Sequence, residues 1–553
     1  MKGSSKKLFT IAALGTLVSS SLCLAATGAA SNAEPKGRWL SGDFHQHTLY
    51  TDGSTTFDFV MTKSNEFGLD WWANSEHGGG RNRDGEGHLW TDPFYYHTNP
   101  ILGDVSGNPQ VMWRWQSLRD YVFPQILDTR SIYPEKKVFS GFEWNVPDHE
   151  HCSTAVVAED ASALSAFEYQ FDKSDKDTSR TSEVTPYGTL AKANLTHADA
   201  VAACQWMQGQ YEKGGIDNGW IIFAHIERNG PYATGGYDIN DFRDFNTAGP
   251  DVSFGFEGAP GHQVNDDRGF GNDVDCDENG VCTSDDFGGT YGGVGYYTAQ
   301  VGGLWDAMLG EGRRWFNFAN SDYHKHYTAD GDDFYPGEYQ KTWVYAVDQD
   351  DDGGYSYNEI ADGMRSGNTF FAHGDLITHL EFEAQNNNDK VNMGGELEAD
   401  GEIRNLKITI KFKSPENNNC QIDGTYITAC AEPKVDHIDL IAGDITGMID
   451  PKDTDYSNAT NPTTRVIATF DGNSWKKDKE GYNVIVYHLK DVDKSMYFRL
   501  RGTNLAPGTP DETDVVGNPL PDALVTQNQG IDGAQEAWND LWFYSNPIFV
   551  YVK

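Results

Sequence analysis

Apolar runs that end in a polar residue recur along the first two thirds of the chain. Stretches with helical periodicity lie between them, such as Thr55 to Phe67, which Gly68 ends. This alternation predicts parallel strands, in a barrel or a doubly wound sheet, over about 39–372. The polar residues that follow successive runs include His77, Glu143, His225 and Asp322.

Three long stretches rich in Gly and Asp interrupt this pattern, at 78–110, 159–190 and 228–298. We interpret them as loops over a site, because function in barrels concentrates at the carboxyl ends of the strands.

From about 376 the pattern changes to period two, as in Leu406 to Phe412 and Tyr482 to Leu489, with Gly-, Asn- and Asp-rich turns between. This pattern predicts an all-β, sandwich-like module. We therefore divide the chain into a signal peptide (1–33), an α/β domain with long loop insertions (34–375) and a β-rich C-terminal module (376–553).

The N-terminal segment is typical of a secretory signal. Lys2, Lys6 and Lys7 precede the apolar stretch Leu8 to Leu24, and small residues follow up to Ala33. We expect an exported protein, periplasmic or extracellular. No later stretch is long and apolar enough for a membrane span.

The formal net charge of −41 argues against nucleic acid or anionic lipid as partners. No protein partner can be inferred from the sequence. Six cysteines follow the signal peptide, and in an exported chain an even number favours disulfides. Proximity suggests Cys276–Cys282 and Cys420–Cys430, which leaves Cys152 and Cys204.

Histidines and carboxylates stand at or soon after the predicted strands. His45 and His47 have the i, i+2 spacing that places two side chains on one face of a strand, so both can reach one ion. Dispersed imidazole and carboxylate ligands from different strands are typical of a multinuclear metal site. The ordered series is His45, His47, Asp52, His77, Glu143, His151, His225, Asp322 and His324.

Several short motifs in this series resemble the polymerase-and-histidinol-phosphatase (PHP) superfamily of metal-dependent hydrolases. They are His45-Gln46-His47-Thr48, Thr51-Asp52-Gly53, Ser75-Glu76-His77, Gly141-Phe142-Glu143, Ala224-His225 and Ser321-Asp322-Tyr323-His324. Ser75-Glu76-His77 departs from the usual Thr-Asp-His. The β-rich tail further resembles the exported branch that includes carbaryl-hydrolase-like enzymes.

The resemblance implies a distorted (β/α)7 barrel that holds two or three divalent ions. His45, His47, Glu143 and Asp322 would hold the first. Glu143 would bridge to a second, with His151 and His225, although His149 competes with His151. The third would take Asp52, His77 and His324.

Mixed imidazole and carboxylate ligands suit zinc, manganese or iron, and the sequence does not choose among them. Such ions lower the pKa of a bound water and stabilise charge on a phosphoryl or carbonyl group. We assign catalytic roles to the ligands Glu143 and Asp322. Arg228 and His326 are our candidates to hold a substrate anion or to protonate a leaving group.

A twelve-residue acidic loop, 348–359, matches the calcium-binding pattern, with Gly353 at the sixth position. We expect a structural calcium site there. Its ligand positions are Asp348, Asp350, Asp352, Gly354, Ser356 and Glu359.

The sequence thus predicts an exported metal-dependent hydrolase. We expect its substrate to be a small molecule or an ester, and phosphoesters are the first choice. Two alternatives stay open. One is an ester, carbamate or amide hydrolase on the same metals, and the other is a calcium-stabilised binding protein without catalysis.

Overall fold

The computed structural model describes residues 37–228, 236–265, 268–269, 275–276, 282–283, 289–421, 430–522 and 529–553. The predicted signal peptide, 1–33, lies outside the described residues.

Thirteen strands lie in the first part of the described chain, and most of the predicted ligands follow the ends of some of them. They are β1 (Gly37–Asp43), β2 (Trp71–Ala73), β3 (Gly80–Arg81), β4 (Met112–Trp113), β5 (Lys137–Asn145), β6 (His151–Val157), β7 (Val184–Thr185), β8 (Gly188–Thr189), β9 (Asn218–Ala224), β10 (Ser253–Ala259), β11 (Asp275–Cys276), β12 (Cys282–Thr283) and β13 (Phe316–Ala319).

Further strands follow to the end of the chain. They are β14 (Gln340–Val347), β15 (Thr369–His373), β16 (His379–Asn386), β17 (Asp389–Asn392), β18 (Glu396–Ala399), β19 (Ile403–Lys413), β20 (His437–Asp444), β21 (Arg465–Asp471), β22 (Lys476–Lys477), β23 (Asn483–Val492), β24 (Met496–Thr503), β25 (Trp542–Ser545) and β26 (Ile548–Val552).

The helices of the described residues are mostly short. They are α1 (Phe57–Glu66), α2 (Arg114–Ser117), α3 (Phe123–Ile132), α4 (Ser162–Phe171), α5 (His197–Glu212), α6 (Ile239–Ala248), α7 (Tyr296–Ala299), α8 (Leu304–Gly310), α9 (Tyr357–Ser366) and α10 (Gln529–Asn539). In the described part of the chain, no helix is long and apolar enough to cross a membrane.

A large mixed sheet organises the molecule, with strand order β13-β10-β9-β6-β5-β2-β1-β14-β15-β25-β24-β20-β21. The pairs β1–β2, β2–β5, β9–β10 and β10–β13 are parallel. β6 is antiparallel to both β5 and β9. Six strands, β1, β2, β5, β9, β10 and β13, therefore point the same way, and their carboxyl ends share one edge with the start of β6.

The sheet curls so that the chain after β13, the strand at one end of this order, approaches the chain after β1. The backbone N–H of His47 donates to the carbonyl of Tyr323 over 2.7 Å. The Asn320 side chain accepts from Phe44 N–H over 2.8 Å. No strand pairing joins β13 to β1 among the described residues, so the barrel that the resemblance implies is not confirmed.

A second, antiparallel sheet has the order β17-β16-β19-β23-β22. Alternate residues of β19, from Leu406 to Phe412, are buried. They share one hydrophobic cluster with Ile438 and Leu500 of the large sheet. This antiparallel region agrees with the β-rich tail predicted from period-two alternation. The domain boundary near 375 stays a prediction, and the large sheet continues past it through the β15–β25 pair.

The predicted loop stretches contain regular structure. The stretch 159–190 includes α4, and 228–298 includes α6 and the fully buried strand β10. The loop prediction was wrong for these segments, because their glycines and acids concealed short apolar runs such as Phe254 to Phe256.

The cysteines divide into bonded and free residues. Cys420 and Cys430 form a disulfide, as proximity suggested. Cys152 and Cys204 are buried free thiols rather than a third bridge. Cys276 and Cys282 face each other across the β11–β12 backbone pair, and their side chains lie outside the described atoms.

Candidate metal centre

The nine ligand candidates meet at one edge of the large sheet. The strands β1, β2, β9 and β13 each deliver histidines or carboxylates from the residues just after their carboxyl ends. Glu143 lies within β5, and His151 opens the antiparallel strand β6. Several sets of these side chains place ligand atoms close enough to hold a metal ion.

Glu143 is fully buried and faces five histidines. Its Oε1 lies 2.8 Å from Nδ1 of His151, 2.9 Å from Nε2 of His225 and 3.2 Å from Nε2 of His45. Its Oε2 lies 2.6 Å from Nδ1 of His77 and 3.4 Å from Nε2 of His47. Because the two oxygens face different histidines, this carboxylate is placed to bridge two ions.

Asp322, also fully buried, forms a second such centre. Its Oδ1 lies 3.0 Å from Nε2 of His45 and 3.2 Å from Nε2 of His47. Its Oδ2 lies 3.3 Å from Nε2 of His225 and 3.0 Å from Nε2 of His262. Two ligand atoms on a common zinc ion stand roughly 3.3 Å apart, given bond lengths of about 2.0–2.1 Å, so these spacings suit shared ions.

The solvent side of the cluster is formed by Asp52, His77 and His324. The Asp52 side chain is 43% exposed, and its Oδ2 lies 3.0 Å from Nε2 of His77. Its Oδ1 lies 3.6 Å from Nε2 of His324. This group, together with His47, can hold an ion at the mouth of the site.

Several polar atoms of the cluster make no hydrogen bond of good geometry, although ligand atoms of opposite type stand close by. Among the described residues, buried side-chain atoms without a hydrogen bond include Nε2 of His45 and His47, Nδ1 of His77 and His151, and both carboxylate oxygens of Asp322. An unsatisfied buried polar atom is costly, and here several converge on common points. Divalent cations would satisfy them together, so the residues present fit a metal group.

The electrostatics favour charged carboxylates and a neutral His47. Burial raises the pKa of Glu143, but His151 and His77 outweigh it and hold this pKa well below its usual range. Burial also raises the pKa of Asp322, but His45 and His225 outweigh it and hold this pKa well below its usual range. Burial and the nearby His324 lower the pKa of His47 to about 3. A neutral imidazole such as that of His47 is the state that accepts a cation. At His77, by contrast, Glu143 and Asp52 outweigh burial and raise the pKa to about 10, so a metal bound there would displace a proton.

Three residues of the cluster have left-handed backbone conformations. The φ angles are 52° at His225, 45° at Asp322 and 56° at His262. This region is uncommon for residues other than glycine and is found where surrounding contacts enforce it, often at functional sites. The turns at these strand ends aim the side chains at the centre.

Glu257 and His262 also face the cluster and were not among the ligands predicted from the sequence. Glu257 of β10 is buried, and its Oε2 lies 2.9 Å from Nδ1 of His45. Nδ1 of His262 lies 2.7 Å from Oδ1 of Asp333, so the other ring nitrogen, Nε2, is left to face Asp322. The apolar run ending at Glu257 was the available signal, and it was hidden inside the predicted loop 228–298.

The hairpin between β5 and β6 separates His151 from His149. In its register Asn145 pairs with His151, and the His151 ring points towards Glu143. His149 lies in the connecting turn and contacts His197 instead, over 2.9 Å. Glu76 is not directed at the cluster either, because its carboxylate accepts from the hydroxyls of Thr48 and Thr51.

The two proposed helper residues occupy different surroundings. The Arg228 guanidinium lies 3.0 Å from Nδ1 of His225, at the edge of the cluster. His326 pairs through Nε2 with Glu338 over 3.0 Å and stacks on Tyr335. The structure therefore brings Arg228 to the site and directs the His326 ring elsewhere.

The acidic loop 348–359 forms a tight turn between β14 and α9. Gly353 has a φ of 82°, which suits the sharp bend at the sixth position of a calcium loop. Glu359 also takes part in the capping box of α9 with Ser356, and its Oε1 accepts from Gln349 N–H over 2.6 Å. Calcium binding here stays a prediction.

Comparison with solved structures adds a likeness of fold. No family model and no curated protein matches the chain. It is similar to the crystal structure of a two-domain protein containing a predicted PHP-like metal-dependent phosphoesterase from Bacteroides vulgatus ATCC 8482. The identity is 11%, the match covers 90% of this chain and 98% of that chain, and the TM-score is 0.32. A likeness at this level carries no argument about the site, which rests on its own geometry.

Proposed function

We propose that this protein is an exported metal-dependent hydrolase of the PHP superfamily and that it acts on phosphoesters. The observation that carries the proposal is the convergence of buried imidazole nitrogens and carboxylate oxygens around Glu143 and Asp322. A protein without metal chemistry has no need to desolvate so many ligand-type atoms together.

The spacings support a site for two or three divalent ions of zinc, manganese or iron. Glu143 and Asp322 would each serve more than one ion, with His45 between them. His151 and His225 would complete an inner position. Asp52, His77 and His324 would form the outer position near solvent.

Ions bound in this way supply a water of lowered pKa and offset negative charge on the reacting group. The chain's own residues set the geometry. Glu257 faces Nδ1 of His45 and fixes the tautomer whose Nε2 points inward. The exposed side, formed by Asp52 and His324, leaves room for a substrate to enter.

Two arginines at the mouth, although each lies near a carboxylate, are placed to bind an anionic substrate. Arg228 stands beside His225 on one side, and Arg81 lies 3.5 Å from Asp52 on another. Guanidinium groups bind phosphoryl oxygens well because of their planar, multidentate donors. We therefore place phosphomonoesters or phosphodiesters ahead of carbamates and amides.

The test is metal analysis followed by turnover. Protein purified without chelator is expected to contain two or three equivalents of transition metal and to hydrolyse p-nitrophenyl phosphate or bis-p-nitrophenyl phosphate. His45→Ala and Asp322→Ala should abolish turnover while far-ultraviolet circular dichroism stays unchanged. His379→Ala is the matched control, because His379 pairs with Glu381 in the second sheet, outside the cluster.

Three results would contradict the proposal in part or in whole. Faster turnover of an aryl carbamate or anilide than of any phosphoester would reassign the substrate class and keep the metal site. Unchanged turnover in both ligand variants, or calcium as the only bound metal after incubation with zinc and manganese, would remove the hydrolase and favour a binding protein.

A further inference from the structure

A second group of ligand-type side chains lies outside the cluster described above. It consists of His149 in the β5–β6 turn, His197 at the first position of α5 and Asp241 in the first turn of α6. Their ligand atoms lie within 4.8 Å of one another. We propose that these three residues bind a separate divalent transition metal ion, with zinc as the best match.

The tautomers of the two histidines leave lone pairs that face each other. Nδ1 of His149 lies 3.2 Å from the carbonyl of Gly236, to which it donates, so Nε2 carries the lone pair. Nε2 of His197 lies 3.2 Å from Oδ2 of Asp244, so its Nδ1 is likewise left as an acceptor. Metal-binding histidines characteristically donate their other N–H to a carbonyl or carboxylate in this way.

The two inward nitrogens are only 2.9 Å apart. With both histidines neutral, two facing lone pairs repel unless something positive lies between or beside them. A cation would serve both at once. The remaining candidate is a proton on one ring, which would join the nitrogens by a single hydrogen bond.

Asp241 supplies the third ligand atom. Its Oδ2 accepts the backbone N–H of Asp238 over 2.8 Å, as part of the capping box of α6. That contact fixes the carboxylate and leaves Oδ1 facing the histidines, 3.4 Å from Nδ1 of His197 and 3.7 Å from Nε2 of His149.

These spacings are near those of a tetrahedral zinc site. Ligand atoms on such an ion stand roughly 3.3 Å apart, so the nitrogens need to separate by a few tenths of an ångström. His149 is 8% exposed, while the side chains of His197 and Asp241 are 28% and 16% exposed. An ion can therefore reach the group from solvent, with a fourth position left for water.

The proposed ion would join three segments that are distant in sequence. It would tie the β5–β6 turn to the starts of α5 and α6. Tyr237 connects this site to the main cluster, because it stacks on His149 and its hydroxyl donates to the carbonyl of His151 over 2.9 Å. Metal bound here would stabilise the hairpin that presents His151.

The test compares metal content in the full-length protein. Metal-free wild type, His197→Ala and Asp241→Asn are reconstituted with Zn²⁺, freed of excess and analysed for metal per chain. Asp241→Asn retains an oxygen that can accept from the backbone N–H of Asp238 and removes the anionic ligand. His379→Ala serves as the matched control, since it also removes a part-exposed histidine that pairs with a carboxylate.

Each variant of the second site is expected to hold one equivalent less than wild type, and His379→Ala to equal it. After reconstitution with Co²⁺, the visible spectrum of wild type minus that of His197→Ala should be the spectrum of one four-coordinate ion. Equal metal content in wild type, His197→Ala and Asp241→Asn would overturn the proposal. The short contact between His149 and His197 would then be a hydrogen bond through a shared proton. The comparison does not depend on the main cluster. If His45→Ala loses the metals of that cluster, the double variant His45→Ala/His197→Ala should still hold one equivalent less than His45→Ala alone.

Discussion

Glu143 and Asp322 act as shared centres, since each presents its two oxygens to different histidines. Removing one of them would disturb more than one of the proposed ion positions, whereas removing an outer histidine such as His324 would affect one. We therefore expect substitutions within the cluster to be strongly non-additive, as is usual for residues that act as a unit.

The contact between Glu257 and His45 gives a prediction about metal affinity. Glu257→Gln removes the anionic acceptor that orients the His45 ring, so metal affinity should fall by about 10–100-fold. Competition with a chromophoric chelator measures this. Glu381→Gln is the control, because Glu381 lies 3.0 Å from His379 outside the cluster. An unchanged affinity in Glu257→Gln would show that the contact does not position His45.

Arg228 gives a prediction about substrate binding. Arg228→Ala should raise KM for a phosphoester more than it lowers kcat, because the side chain lies beside the cluster and is suited to hold substrate oxygens. Steady-state kinetics with p-nitrophenyl phosphate separates the two constants. Arg119→Ala, which removes an exposed arginine paired with Asp120, should change neither. A large fall in kcat with KM unchanged would instead place Arg228 in the chemical step.

At the scale of elements, the ends of parallel strands decide where the ligands meet. Each strand is short and is buried towards its carboxyl end, so its register leaves little freedom, and the residue after its last pair is fixed in space. The antiparallel strand β6 joins the same edge through its first residue, His151. The site is thus built on strand ends, with loops supplying mainly its rim.

The acidic loop before α9 gives a prediction at this scale. Calcium added to chelator-treated protein should raise Tm, and Asp350→Asn should remove that increase, because position 350 supplies one of the predicted oxygen ligands. Differential scanning fluorimetry measures the shift. Asp58→Asn, an exposed acid in the first turn of α1, should keep the full response. No calcium response in wild type would make the loop an acidic turn only.

For the whole molecule, the cluster joins segments from His45 to His324 across the large sheet. Metal that binds the folded state alone adds stability in proportion to its affinity and concentration. Removing transition metals with a chelator should therefore lower Tm by several degrees, and Zn²⁺ or Mn²⁺ should restore it. In Asp322→Ala this metal-dependent part should be largely lost. An equal response in that variant would mean that the stabilising ions bind elsewhere.

The strand and helix pattern was largely readable from the sequence. The helix predicted over Thr55 to Phe67 is α1, Phe57–Glu66, and the period-two segment Leu406 to Phe412 lies within β19. Local periodicity sufficed there because one face of each element is buried. In 228–298 the apolar run of β10 is too short to stand out among glycines and acids.

The sequence by itself determined which residue types were available as ligands and that they follow successive apolar runs. It did so because strand ends are local features. Only the tertiary structure decided that Glu257 and His262 join them, that His151 faces Glu143 while His149 faces His197, and that the His326 ring points away. These outcomes depend on strand order, hairpin register and backbone angles at strand ends, which arise from contacts between segments far apart in the chain.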